Sequence, residues 1–151
     1  MAGFGNKKNR NNNKHKCDTR MDGEALHKSG VSYHSQGDLE HAEENYRLAI
    51  NVGYKHHATF SNLGVICKNS GRPEEAMSLF KKAIDINPKY SIAFLNLGSL
   101  YKNLGNLDQA LASTLKSLEL KPDSPDSHKN LGEIYQDLGN LDKALDSTLK
   151  S

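Results

Sequence analysis

The chain has 151 residues, of which 36% are hydrophobic and 25% are charged, and its formal net charge is +2. This length suffices for one domain with a sizeable core. No apolar run approaches the roughly 20 residues of a membrane-spanning helix, and the start of the chain lacks the apolar stretch of a secretory signal. The sequence therefore predicts a cytoplasmic protein without a membrane span.

The first segment, residues 1–22, is basic and rich in asparagine. Its cationic side chains include Lys7, Lys8, Arg10, Lys14 and Lys16. A segment with few apolar residues and no hydrophobic periodicity is typical of disorder, so we expect a disordered arm. The arm either contacts an anionic partner or only solvates the domain, and the second reading is favoured. Specific nucleic-acid reading is not predicted, because interleaved base-stacking aromatic residues are missing.

From residue 23 onward the sequence repeats at an interval of 34 residues, and four interleaved series keep this interval. They are Leu-Gly at 63–64, 97–98 and 131–132; Gly37, Gly71, Gly105 and Gly139; Ala42, Ala76, Ala110 and Ala144; and Pro88 and Pro122. The predicted units are residues 23–56, 57–90, 91–124 and 125–151, the last of them incomplete.

Each unit contains two stretches with apolar residues at helical spacing, which predicts two helices per unit. Gly71 marks the turn between the helices of the second unit, and Pro73 opens the helix that follows. Gly64, Gly98 and Gly132 lie inside the first helices, where glycine costs about 1 kcal/mol relative to alanine. This cost indicates that the partner helix approaches too closely for a Cβ. The expected counterparts are Ala76, Ala110 and Ala144.

These positions resemble the tetratricopeptide repeat (TPR). The second unit carries the pattern most fully, with Phe60, Leu63, Gly64, Gly71, Ala76, Phe80, Ala83 and Pro88. The resemblance covers residues 23–151 and implies an all-α solenoid, a right-handed superhelix of antiparallel helix pairs with about four repeats. The repeats are similar to those of the O-GlcNAc transferase superhelix and of bacterial TPR arrays fused to transferases, which implies a bacterial source.

Both ends depart from the repeat pattern. The first unit is atypical, with Ser29 in the place of leucine, as expected for an N-terminal cap. Residues 137–151 nearly copy 103–117 and stop at Ser151, which predicts a fragment or a truncated member of a longer repeat protein. Leu141, Leu145 and Leu149 would then be partly exposed, so self-association through this end is predicted. In the third unit Thr114 and Ser117 replace larger or apolar residues, which predicts looser packing.

The first helix of each TPR unit lines a concave groove in this family. Asn62, Asn96 and Asn130 occupy one repeat position there, and Lys28 is the equivalent residue of the first unit. An amide side chain offers a donor and an acceptor, which matches a peptide backbone unit. The resemblance therefore implies a ladder that binds an extended peptide, the alternative being an inherited pattern without function.

A carboxylate clamp of the kind that TPR cochaperones use is not predicted. The matching positions hold His27, Val31, Ile92 and Asn96 instead of the required basic residues. Binding of chaperone tails is therefore not expected.

No catalytic, cofactor or metal site is predicted. The seven histidines show no zinc-binding spacing, and Cys67 falls on the core face of its helix. The sequence predicts a non-catalytic scaffold that binds a protein or peptide partner. The alternative is the substrate-recruiting stalk of a longer glycosyl-, sulfo- or methyltransferase whose catalytic domain lies outside this chain.

Overall fold

The computed structural model describes the backbone of residues 12–149 and the side chains of residues 22–142. This part of the chain is all α-helical. The helices are α1 (Asn12–Ser35), α2 (Leu39–Asn51), α3 (His57–Asn69), α4 (Pro73–Ile86), α5 (Ser91–Asn103), α6 (Leu107–Leu120) and α7 (Pro125–Leu149). The chain divides into two units, Met1–Lys55 and His56–Ser151.

The first unit is the helix pair α1 and α2. Gly37, with a positive φ of 79°, forms the turn between them. Tyr46 of α2 is fully buried and its ring lies against Gly30 of α1. A Cβ added to Gly30 would lie only 2.7 Å from Cδ1 of that ring. Glycine is therefore needed at this position so that the two helices can pack.

Helix α1 corrects the prediction of a disordered arm, because it begins at Asn12 and makes residues 12–22 helical. No glycine or proline interrupts this stretch, and extending an existing helix adds one hydrogen bond for each residue fixed. Lys14 and Lys16 lie on this helix, but their side chains are outside the described range. Lys7, Lys8 and Arg10 lie outside the described residues altogether, so the anionic-partner role of the arm stays a prediction.

The second unit contains α3 to α7. Helices α3 and α4 pair, as do α5 and α6, while α7 packs on α5 and α6. Helices α3, α5 and α7 begin at His57, Ser91 and Pro125, the positions at which the predicted units begin. The largest fully buried apolar side chains of this unit are Phe80, Leu63, Ile66, Leu100 and Ile134.

The predicted close approach of the paired helices is present at Gly64 and Gly98. A Cβ on Gly64 would lie 2.6 Å from Cε1 of Phe80. A Cβ on Gly98 would lie 2.5 Å from Oγ1 of Thr114 and 3.2 Å from the carbonyl oxygen of Ala110. The closest counterpart is thus the residue four positions after each predicted alanine, one helical turn further along the second helix.

The fourth unit differs from the prediction, because α7 is continuous from Pro125 to Leu149. Gly139 lies inside this helix and does not have the positive φ of the turn glycines. A Cβ added to Gly132 meets no atom within 4 Å in the described structure. The expected close approach to Ala144 is therefore wrong for this conformation. Continuing the helix keeps the backbone hydrogen bonds that a turn at Gly139 would break.

Leu141 is 58% exposed, in line with the expectation for this end of the chain. The side chains of Leu145 and Leu149 are outside the described range.

Gly105 and Gly139 lie in the same pentapeptide sequence, but Gly105 forms a turn and Gly139 lies inside a helix. Substituting each glycine by alanine tests this difference in backbone conformation. Gly105→Ala places a Cβ at φ +78° and should lower the free energy of unfolding by about 1–2 kcal/mol. Gly139→Ala, in the interior of α7, should raise it by up to about 1 kcal/mol. Urea unfolding followed by circular dichroism measures both. Equal destabilisation by the two variants would show that Gly139 forms a turn in solution.

Asp38 caps the N-terminus of α2. Its Oδ1 accepts a hydrogen bond from the backbone N–H of His41 at 3.2 Å, and its Oδ2 lies 2.7 Å from Nδ1 of the same residue. The backbone hydrogen bond, followed by the side-chain one, lowers the pKa of Asp38 below 3.8. The hydrogen bond that the His41 ring donates to the Asp38 carboxylate in turn raises the pKa of His41 above 6.5.

The Asp38–His41 cap should therefore be strongest between pH 3.8 and 6.5. The stabilisation of the fold by protonated His41 is fully present below pH 6.5 and is lost as the pH rises through the raised pKa of His41. The stabilisation by ionised Asp38 is present above pH 3.8 and is lost as the pH falls through the lowered pKa of Asp38. An NMR titration should give His41 a pKa above 6.5 that falls in Asp38→Asn. An unchanged titration in this variant would contradict the pairing.

Candidate functional site

A cleft of about 310 Å³ lies between α5 and α7 in the second unit. Its walls come from two first helices, and six of the eight lining residues form three pairs that are 34 positions apart: 95/129, 96/130 and 99/133. The lining residues are Leu95, Asn96, Ser99 and Lys102 of α5, and Asp126, Lys129, Asn130 and Glu133 of α7. Seven of these eight side chains are polar or charged, so the cleft suits a polar ligand surface.

The asparagines predicted to form a ladder lie on α3, α5 and α7. Asn62 and Asn96 are half-buried, and the amide nitrogen of Asn96 donates to Oγ of Ser61 on α3 at 3.3 Å. Asn130 is only 6% exposed, and its amide nitrogen donates to Oγ1 of Thr114 on α6 at 2.8 Å. Asn130 thus lines the cleft, and its amide nitrogen also forms a hydrogen bond that connects α7 to α6.

Lys28, the ladder equivalent in the first unit, is exposed on α1. Its Nζ forms an ion pair with Oε1 of Glu24 at 2.8 Å, one helical turn away. The hydrogen bond with Glu24 raises the pKa of Lys28.

A row of charges crosses the three first helices beside the asparagines. Lys102 of α5 forms an ion pair with Glu133 of α7, and this hydrogen bond lowers the pKa of Glu133. Lys68 of α3 occupies the same repeat position as Lys102 and is half-buried. Burial, and then the positive charge of Lys102, lower the pKa of Lys68. The sequence analysis missed this row, although the 34-residue spacing of Lys68 and Lys102 was a signal for it.

The small polar side chains of α6 form hydrogen bonds with residues of other helices. Ser117 donates to the carbonyl oxygen of Ser91 at 2.9 Å, and its hydroxyl lies 2.9 Å from that of Ser127. Ser127 in turn donates to Oγ of Ser124 at 2.9 Å. These hydroxyls lie where looser packing was predicted, and their hydrogen bonds connect α6 to the start of α5 and to α7.

The Thr114–Asn130 pair gives a test of this polar core. Thr114→Val keeps the shape but leaves the buried amide of Asn130 without its acceptor, which should cost about 1–3 kcal/mol. The double variant Thr114→Val/Asn130→Leu removes both polar groups and should recover part of this loss. Urea unfolding of the full double-mutant cycle measures the coupling. Strictly additive effects would contradict a direct interaction.

The described residues offer little for catalysis or metal binding. They contain no group of three or more His, Cys, Asp or Glu side chains placed to hold a metal ion. Cys67 is a fully buried thiol that forms no disulfide. His128 is exposed, with Nε2 2.7 Å from the carbonyl oxygen of Pro122. Within the described range, every helix is too short or too polar to cross a membrane.

Four family models of the tetratricopeptide repeat match the sequence. They cover residues 23–52, 57–90, 79–112 and 98–139, which together is more than half of the chain. The chain belongs to the tetratricopeptide-repeat family. The described helices, their pairing and the glycines at the helix contacts are those of an all-α TPR solenoid of about four repeats.

Solved TPR structures share this fold at low sequence identity. The first TPR of Spaghetti (RPAP3) bound to the HSP90 peptide SRMEEVD has a TM-score of 0.75 and 22% identity, over 80% of this chain and 95% of that one. The Arabidopsis OM64 TPR domain has a TM-score of 0.75 and 18% identity, over 78% and 98%. The MamA protein has a TM-score of 0.74 and 24% identity, over 89% and 73%.

No curated protein matches the TPR chain in sequence. Peptides are bound in two of the solved TPR structures: the HSP90 peptide in the first RPAP3 domain, and the HSP70 peptide SGPTIEEVD in the second domain of human RPAP3.

Proposed function

We propose that this TPR chain is a non-catalytic scaffold that binds an extended segment of a partner protein along α3, α5 and α7. The observation that carries the proposal is the polar cleft between α5 and α7. Asn96 and Asn130 occupy equivalent positions of successive repeats on its two walls, so an amide side chain recurs along the direction in which a bound strand would run.

The spacing of the first helices suits an extended strand. Packed helices lie about 8–10 Å apart, and an extended chain advances about 3.3 Å per residue. Each first helix would therefore meet about every third residue of the partner. The amide side chains of Asn62, Asn96 and Asn130 would contact its backbone amides, Asn96 and Asn130 through their carbonyl oxygens, because their amide nitrogens already donate to Ser61 and Thr114.

The charge row adds a preference for the partner's side chains. Lys68 and Lys102 lie on neighbouring first helices, and Glu133 is paired with Lys102. An acidic side chain of the partner beside Lys68 would offset the positive charge that the two lysines place together. The favoured partner is therefore an extended segment with an acidic residue.

The backbone contacts alone would bind weakly. Each hydrogen bond contributes about 0.5–1.5 kcal/mol net, so three amides give roughly 2–4 kcal/mol, or at best millimolar affinity. Useful affinity must come in addition from side chains that enter the cleft, whose volume of about 310 Å³ accommodates one or two of them. This requirement gives the groove sequence preference.

This partner differs from the chaperone tails bound by the RPAP3 domains. The positions of the carboxylate clamp hold His27, Val31 and Ile92 here, so the grip on a C-terminal carboxylate is missing from the sequence. We propose recognition of an internal extended segment.

Selection from a random display library of extended peptides tests the proposed groove. The recovered peptides should be enriched in Asp or Glu, and one of them serves as the probe in fluorescence anisotropy. Asn62→Ala/Asn96→Ala should weaken its binding by about tenfold, because each lost hydrogen bond costs about 0.5–1.5 kcal/mol.

The matched control is Asn51→Ala/Asn106→Ala, which removes two exposed asparagines from helix ends outside the first helices. This control should bind as the unmodified chain does, and circular dichroism should show equal helicity in all variants. Equal affinity of the two double variants for the selected peptide would overturn the groove proposal.

A further inference from the structure

The pentapeptide Leu-Gly-Asn-Leu-Asp occurs twice in the second unit with two backbone conformations. At residues 104–108 it forms a turn, with Gly105 at φ +78°, and then opens α6. At residues 138–142 the same five residues continue α7 without a break. Since the two local sequences are identical, they do not choose between the turn and the helix.

The likeness extends through the whole second helix. Residues 139–151 differ from residues 105–117 only at Lys143 and Asp146, which stand for Gln109 and Ala112. Both Gln109 and Ala112 are exposed in α6. The buried residues of α6 have identical counterparts 34 positions later: Leu107, Ala110, Thr114 and Ser117 match Leu141, Ala144, Thr148 and Ser151. The sequence of residues 139–151 therefore retains every residue that α6 buries over this stretch.

The surface that receives α6 is repeated as well. On α5 it contains Leu97, Gly98 and Tyr101, all of them buried, and α7 has Leu131, Gly132 and Tyr135 at the equivalent positions. We call these three residues of α7 the Gly132 face. Tyr101 is 8% exposed, whereas Tyr135 is 53% exposed. The Gly132 face is thus an uncovered copy of a surface that a helix covers elsewhere in the chain.

We propose that α7 is a two-state element, in which residues 140–149 fold back at Gly139 and cover the Gly132 face of the same chain. The continuous α7 is the open state. In the closed state Gly139 takes the positive φ that Gly105 has, and the segment packs as α6 packs on α5. The open state keeps helical hydrogen bonds, and the closed state buries the apolar Gly132 face.

Helix geometry favours the same chain over a second copy as the source of the covering segment. By analogy with Gly98 and Thr114, Gly132 should meet Thr148 in the closed state. These residues are 16 positions apart, so on a continuous helix they lie about 160° apart around the axis. If two continuous α7 helices from two copies packed side by side, each helix would present only one side to the other. Such a pair could therefore not form the contact of Gly132 with Thr148 in both directions. Reversal of the chain at Gly139 brings the two surfaces face to face.

The consequence is a docking surface that opens and closes. In the open state the Gly132 face is uncovered. In the closed state that surface is withdrawn. The groove lined by Asn96 and Asn130 lies elsewhere on α7, so this proposal does not rest on peptide binding there.

Paired spin labels measure the two states directly. Lys129→Cys and Ser147→Cys, combined with Cys17→Ser, place one label on each side of Gly139, while Cys67 is buried and remains unlabelled. A continuous helix separates the two positions by about 27 Å. Packed helices would bring them to about 10 Å. Double electron–electron resonance reports the long distance, and dipolar broadening reports the short one.

We expect both distances in the labelled chain. Gly139→Ala and Gly132→Ala should each reduce the short-distance population at least about fivefold, the first through the left-handed conformation and the second through the helix contact. The control Asp137→Ala changes an exposed residue of the same helix and should leave the ratio unchanged.

A single long distance in the parent chain would overturn the proposal, as would a short distance that both glycine variants retain. A short distance that disappears on dilution with unlabelled chain would place the segment on a second copy and would equally overturn it.

Discussion

The contact between a first helix and the second helix of its own pair is the constraint on which the rest of this structure depends. At Gly30, Gly64 and Gly98 the neighbouring helix leaves no room for a Cβ. The atoms that fill this space are the rings of Tyr46 and Phe80 and the hydroxyl of Thr114. Helix α7 packs on the pair formed by α5 and α6, and the cleft lies between α5 and α7. The glycine in the helix costs local stability, and the packing it permits offsets that cost.

The cleft and the core are coupled through polar side chains. Asn130 lines the cleft and donates to Thr114, whose hydroxyl also fills the space beside Gly98. A larger aromatic residue at position 114 would pack more area but would give the amide no acceptor. The pair formed by α5 and α6 therefore buries less apolar area at position 114 than an aromatic residue would give, but it gains a hydrogen bond to Asn130. This hydrogen bond, rather than a ligand, fixes the orientation of the Asn130 side chain.

Helix α7 shows what happens where this constraint is not met. No second helix lies against Gly132 in the described structure, and Tyr135 is exposed where its equivalent Tyr101 is buried. The inner side of α7 still packs, since Ile134 and Ser127 are fully buried. One helix thus has a side that completes the core of the second unit and another side that copies a helix-binding surface.

The sequence by itself determined the repeat, the helix pairs from α1 to α6 and the glycines at their contacts, because a 34-residue period imposes the same packing requirement on every unit. It also identified the first helices as the carriers of the candidate groove. Only the tertiary structure decided that Asn130 donates to Thr114 and that Ser117 bonds to Ser91 and Ser127, since these partners are distant in sequence. It also decided that α1 begins at Asn12. The pentapeptide at 104–108 and 138–142 is the sharpest case, because an identical local sequence forms a turn in one place and a helix in the other, so the choice rests on the surrounding packing.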